Sequence, residues 1–489
     1  MKGSFIIAVD QSTTGTKVLL IDRSGNIVCK SYCEHRQIMP AAGYVEHDPL
    51  ELLDNVKKLI RSVMVKSGIC AENICCIAIT NQRETVIAWD KATGQPIYNA
   101  IVWQCNRAGK QCEHIRSIGL EETVAGKTGL PLSEFFSAAK LNWIIDNVKE
   151  AAEKKKNHTL ICGTVDSWLV WNLSEEKNHV TDYSNASRMQ LLDLHTLSWD
   201  KEIVKAFSLD IDMLPDIVFS DTVVGHMRID GVSVPIAGLI GDSHGALFAQ
   251  SGTGNALKVT YGTGSSIMMG TGSKLVHCGK LATTVAYAYN GNVNFAVEGN
   301  VNSTGATIKW TADKLGLLSS AAEAEQIALD AKADSGVYFV PAFGGLGAPY
   351  WAPNAKAAII GMSFDTDRKD IVKAALESIA YQITDVVCEL ESESGVQIDR
   401  IRVDGKPTEN SLLMQFQADI SGKELIKNGV EEASAYGAAI MGGLAVGFWK
   451  LDEIDTLIRQ RENIKPHMSE QKRRVLLDGW HDAVHRSIG

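Results

Sequence analysis

The order of apolar and polar positions along the chain predicts strands and helices in alternation. Residues 5–10 are apolar and end on Asp10, residues 11–17 turn the chain through hydroxyl-bearing side chains, and residues 18–22 are apolar again. That is the pattern of a β-hairpin with a hydroxyl-rich loop. An echo follows in residues 256–270, where an apolar run leads into Tyr261-Gly262-Thr263-Gly264-Ser265-Ser266 and then Ile267-Met268-Met269. Two such units predict a duplicated domain with a hinge between the copies. Between them, residues 50–66 have the spacing of an amphipathic helix, while 74–80 and the segment opening at 160–163 read as buried strands. Residues 369–392 predict a long helix, and 225–238 read as a surface loop leading into the apolar run 234–241. The uncharged stretch 433–449 carries Gly437, Gly442, Gly443 and Gly447. It is shorter than the ~20 apolar residues of a membrane span and reads as a buried, closely packed helix. Strands alternating with helices predict an α/β fold of layered sheets.

Composition narrows the class. A chain of 489 residues exceeds what one hydrophobic core organises, so at least two domains are expected. A net charge of −10 argues against nucleic acid or an anionic membrane as the main partner. Residues 1–10 lead straight into a predicted strand, so no secretory leader is expected. The ten cysteines are scattered and form no Cys-x-x-Cys pair, so reduced thiols in the cytoplasm are expected rather than zinc or disulfides.

Several familiar phosphate motifs are missing. Gly126-Lys127-Thr128 ends like a Walker A loop, but Glu121 stands where that motif needs glycine. There is no His-Arg-Asp or Asp-Phe-Gly set. Another cradle is available in Asp10-Gln11-Ser12-Thr13-Thr14 and Gly262-Thr263-Gly264, where small residues and threonines bring backbone N–H groups and hydroxyls to phosphate oxygens. Asp10, at a strand end, can hold Mg²⁺ through water. A single loop of this kind is more often a plain structural turn. Two further clusters change the balance. Arg83-Glu84 follows a buried strand and offers a guanidinium fork beside a carboxylate, a pair able to hold vicinal hydroxyls; a surface ion pair is the plain alternative. Asp242 emerges from an apolar run between Gly241 and Ser243, placed for a general base or a helix cap.

With these clusters in place the sequence resembles the FGGY family of carbohydrate kinases, and within it the glycerol kinases. The segments that carry the resemblance include 135–147, 357–377, 80–85, 99–104, 163–166, 345–351 and 413–417. The resemblance implies two RNase-H-like domains of the actin and Hsp70 type, residues 1–248 and 249–489, with the active site in the cleft between them. The first would hold the substrate and one phosphate loop, the second the nucleotide. It further implies ATP and Mg²⁺ as cofactors, Asp242 as the base that takes the acceptor proton, and Asp10 as the magnesium-associated aspartate. Thr13, Thr14, Lys17 and Thr263 match the phosphate-loop positions, and Gly305, Lys406 and Asn410 lie at nucleotide positions. Arg83, Glu84, Trp103, Phe135, Ser243 and Ser266 fall at acceptor positions. The expected reaction is phosphorylation of a terminal hydroxyl of glycerol or a related polyol by a cytoplasmic homo-oligomer, dimer or tetramer.

Departures from the family pattern give the alternatives. Phe135 and Ser266 replace a family tyrosine and an aromatic wall, which enlarges the pocket toward a four- or five-carbon polyol or ketose. Ser243 and His244 replace two glutamines, and His244 is expected to be a hydrogen-bonding pocket residue rather than a second base. Pro407 is expected to push Lys406 into an extended conformation. A nucleotide-switched regulatory protein on the same fold would explain the phosphate loops, but not Arg83-Glu84, Trp103 and Asp242 together.

Overall fold

A computed structural model describes residues 3–252, 256–352, 354–429, 432–458 and 460–489. Its framework is two mixed sheets that share the wiring of their central strands. The first runs in the order Val223–Ile229, Val232–Gly241, Ile74–Asn81, Phe5–Gln11, Gly15–Asp22, Ile27–Glu34. The second runs Ala282–Tyr289, Asn292–Val301, Ser265–Gly272, Leu257–Tyr261, Arg400–Asp404, Glu424–Asn428, Gln460–Ile464. In each sheet the leading strand pairs antiparallel with the next strand in sequence and parallel with a strand reached by a crossover. The echo read in the sequence is thus a repeated topology.

Local chemistry explains the elements. Ile74–Asn81 is covered on both faces, so its residues form a nearly unbroken apolar run. The helix Pro49–Ser67 starts at Asp48, whose side chain accepts from the Leu50 amide, and stops at Gly68 in the left-handed region. The long helix Arg368–Ser394 is closed by a capping box between Asp367 and Asp370.

Two expectations need correction. The first hairpin turns within Ser12, Thr13 and Thr14, because Gly15 to Lys17 already belong to the second strand and Lys17 pairs with Asp10. Residues 225–238 are not a loop: Val223–Ile229 and Val232–Gly241 form an antiparallel hairpin. Its two-residue turn is Asp230-Gly231, both with positive φ, which is the Asp-Gly signal of a tight hairpin.

The uncharged stretch does form a helix, Ala433–Ala445. It packs on the first sheet against Ile6, Ala8 and Ala78, so the end of the chain returns to the first half. There it crosses the helix Asp242–Ser251 backbone to backbone: a Cβ on Gly437 would lie 1.9 Å from the Gly245 carbonyl oxygen. No helix among the described residues is long and apolar enough to cross a membrane.

Candidate active site

The two hydroxyl-rich turns close the leading hairpins of the two sheets. In the first, the Ser12 hydroxyl donates to Asp10 Oδ1 at 2.7 Å. Burial pushes the Asp10 carboxyl up to about 6, against the pull of Ser12 and Lys17, and nearby Asp242 adds to the rise. The Lys17 ammonium is drawn across the seam onto Glu432. In the second turn, Gly262 N–H donates to the Gly264 carbonyl at 2.8 Å. The helix Gly305–Asp313 starts directly against it, with Gly305 N–H on the Gly262 carbonyl at 3.0 Å.

Gly405 lies alongside the same strand: at φ 97° it sits so close to Tyr261 that a Cβ would fall 2.0 Å from that carbonyl oxygen. Lys406 is not extended. It opens the 3₁₀ turn Lys406–Glu409, since hydrogen bonds from Thr408 N–H to the Gly405 carbonyl and from Asn410 N–H to the Pro407 carbonyl outweigh the preference imposed by Pro407. Asn410 caps the helix Ser411–Ser421 by accepting from Leu413 N–H at 2.8 Å. Thr263, Gly305, Lys406 and Asn410 therefore gather around the end of one strand.

The acceptor candidates also meet. Asp242 is the first residue of its helix, with Gly241 at the cap, so the capping alternative does not hold. Its side chain is a third exposed, and Oδ1 accepts from Arg83 Nε at 2.9 Å. Arg83 further donates to Ser243 Oγ at 3.2 Å and to both oxygens of Glu298 at 2.8 and 3.0 Å. That leaves one Nη1 proton of the guanidinium for a ligand. Glu84 is held at φ 61°, and its Oε1 accepts from Arg188 Nε at 2.6 Å. Non-glycine residues in that region are strained and gather at functional sites.

Trp103 Nε1–H donates to Thr13 Oγ1 at 2.9 Å, tying an acceptor candidate to the first hydroxyl-rich turn. The Phe135 ring stands edge-on to Trp103 at 5.5 Å. Its loop is gathered by the Lys140 ammonium, which donates to the carbonyls of Glu134, Phe135 and Phe136. Ser266 Oγ donates to Glu298 Oε1 at 3.1 Å. His244 is fully buried and bonds Thr284 Oγ1 at 3.3 Å. Burial, reinforced by Arg83, holds its pKa well below the usual value, so it stays neutral.

Sequence reasoning missed Glu298 and Arg188. Burial alone would raise the Glu298 carboxyl, but Arg188 and Arg83 outweigh it and hold it ionised. The signal for Glu298 was a lone charge in the strand Asn292–Val301.

Comparison with known proteins agrees with this geometry. Residues 5–249 match the N-terminal domain of the FGGY family of carbohydrate kinases, and residues 257–446 match its C-terminal domain. The chain is 44% identical to a glycerol kinase of Shewanella oneidensis over the full length of both, and 44% identical to glycerol kinase 2 of Thermotoga maritima over 99% of each. Its fold superposes on Plasmodium falciparum glycerol kinase solved with ADP, with a TM-score of 0.92 at 36% identity over 99% of this chain and 98% of that one. A Lactobacillus acidophilus xylulose kinase, 20% identical, shares the fold with a TM-score of 0.86 over 99% of this chain and 97% of its own. On the sequence matches, the shared fold and the cleft between two repeated sheets, the chain belongs to the FGGY family of carbohydrate kinases.

Proposed function

We propose that the protein transfers the γ-phosphoryl group of ATP to a terminal hydroxyl of glycerol, with Asp242 as the general base. The observation that carries this reading is the Asp242 carboxylate, a third exposed and pinned by Arg83, whose guanidinium also holds Glu298 beside Ser266 of the second half. Phosphoryl transfer needs positioning and charge neutralisation more than covalent chemistry. Asp242 takes the hydroxyl proton late, while the remaining Arg83 proton and Glu84 Oε2 hold the neighbouring hydroxyls. Trp103 and Phe135 cover the carbon chain. Thr13, Thr14 and Thr263 meet the phosphates from the two sides, and Gly305, Lys406 and Asn410 line the nucleotide.

Asp10 fits a magnesium site of the phosphate-bridged kind. It is a carboxylate whose pKa burial raises to about 6 despite the pull of Ser12 and Lys17, and Mg²⁺ commonly takes one carboxylate together with substrate phosphates and waters. The ion would neutralise charge on the transferred group. The family resemblance extends the proposal to a cytoplasmic homo-oligomer, dimer or tetramer, with residues 1–248 as the acceptor domain and 249–489 as the nucleotide domain.

The Ser266 proton is engaged by Glu298, so this hydroxyl meets a longer acceptor only through its lone pairs, and glycerol is the favoured substrate. A coupled ADP assay across glycerol, erythritol, threitol and pentuloses tests the reading. Saturable stimulation by glycerol is expected, and higher kcat/KM for a longer acceptor would replace glycerol with that acceptor. Absence of stimulation by every acceptor would refute the kinase assignment.

A further inference from the structure

The charge pairs at the seam between the halves exceed what acceptor binding alone requires. Glu298 is buried in strand Asn292–Val301 of the second sheet. Its Oε2 accepts from Arg83 Nη1 at 3.0 Å and lies 3.0 Å from Arg188 Nη1. Its Oε1 accepts from Arg83 Nη2 at 2.8 Å and from Ser266 Oγ at 3.1 Å. Both guanidiniums belong to the first half, whereas Glu298 and Ser266 belong to the second. Arg188 continues the chain to Glu84 at 2.6 Å.

Stability does not account for such a bridge. Well-packed apolar residues of similar volume commonly hold a buried seam as well as an ion network does. What the network supplies is aim. Held by Glu298, Arg83 touches Asp242 through Nε alone. A guanidinium freed from Glu298 would close on Asp242 as a two-pronged fork, covering the oxygen that must receive the acceptor proton. Arg188 does the same for Glu84, whose Oε1 it occupies from Nε.

We propose that Glu298, acting with Arg188, is a positioning residue that aims Arg83 and Glu84, so that the acceptor pocket of the first half is complete only when the second half is docked against it. The inference rests on the assignment of Asp242 and the acceptor pocket made above. Opening the cleft would pull Glu298 and Ser266 away together, leaving Arg83 free to cover Asp242. The base would then be masked until the halves meet, which couples closure to competence.

Glu298→Gln keeps the shape and removes the charge. In steady-state kinetics its kcat/KM for glycerol is expected to fall about 10²-fold, the loss that accompanies roughly 1 Å of misplacement. ADP affinity by titration calorimetry should stay within about twofold, because only the acceptor side is disturbed. Glycerol kinetics within about threefold of wild type would overturn the proposal, and so would a parallel loss of ADP affinity, the mark of a merely structural role. Should Glu298→Gln fail to fold, Arg188→Lys decides. It keeps a buried cation but cannot span Glu84 and Glu298 with one planar fork, so glycerol kcat/KM should drop about tenfold with ADP binding unchanged. Unaltered glycerol kinetics in Arg188→Lys would overturn the proposal. A wild type run alongside without glycerol-stimulated turnover would sink the proposed reaction and this inference together. An active wild type with unaffected variants would sink the inference alone.

Discussion

Gly437→Ala places a methyl group where two helices touch backbone to backbone. The new Cβ would lie 1.9 Å from the Gly245 carbonyl oxygen and 2.5 Å from its carbon. Ordinary contact begins near 3.4 Å, so the helices must part by about 1.5 Å, the difference between 3.4 and 1.9 Å. No side-chain rotation can relieve the overlap, because both partners are backbone. Alanine's helix preference returns ~1 kcal/mol, whereas overpacking a tight core costs about 1–3 kcal/mol. A net loss of up to about 2 kcal/mol in urea unfolding is therefore expected. Activity should suffer more than stability. Gly245 sits in the helix that begins with Asp242, and a shift of about 1 Å at a reacting group costs roughly 10²-fold in turnover. Gly126→Ala is the control: it lies within the helix Glu121–Thr128, with nothing within 4 Å of the added Cβ. It should gain about 0.5–1 kcal/mol and leave kcat unchanged. A Gly437→Ala protein with wild-type unfolding and wild-type kcat would refute the backbone-crossing argument.

Other perturbations probe separate parts of the account. Trp103→Phe removes the N–H that reaches Thr13 at 2.9 Å while keeping an aromatic wall, so glycerol KM should rise about three- to tenfold; unchanged glycerol and ATP kinetics would break the proposed link between acceptor wall and phosphate turn. Burial pushes the Glu377 carboxyl up from 4.5 to about 7, against Lys373. The fold therefore holds a proton that the unfolded chain releases above 4.5, and stability should fall as pH rises across that window. Glu377→Gln should flatten the slope and gain about 1–2 kcal/mol above pH ~7.5; an unchanged slope in denaturation midpoints would contradict it.

The sequence disclosed most where one residue's chemistry leaves few choices. An aspartate closing an apolar strand marked Asp10 and Asp242, and uninterrupted apolar runs marked central strands such as Ile74–Asn81. The hairpin Val223–Gly241 was legible too, through Asp230-Gly231, but alternating polar residues on an edge strand look like a loop when that signal is overlooked. Lys406 shows the limit of a local rule, since two backbone hydrogen bonds override the bias set by Pro407. Arg188 and Glu298 gain their meaning only from the seam. They lie 110 residues apart in sequence and meet at 3.0 Å because two sheets dock, which no local pattern encodes. The engagement of Ser266 by Glu298 was hidden for the same reason, and it is what turns the enlarged-pocket argument back toward glycerol.

The most direct test of the central claim is glycerol-stimulated ADP production by Asp242→Asn compared with wild type. The amide preserves size and the contact surface toward Arg83 but cannot accept the hydroxyl proton, so nucleotide binding should persist while kcat falls by about 10²-fold or more. A folded Asp242→Asn enzyme that kept more than about a tenth of wild-type kcat would contradict the account, because a general base cannot be replaced at so small a loss.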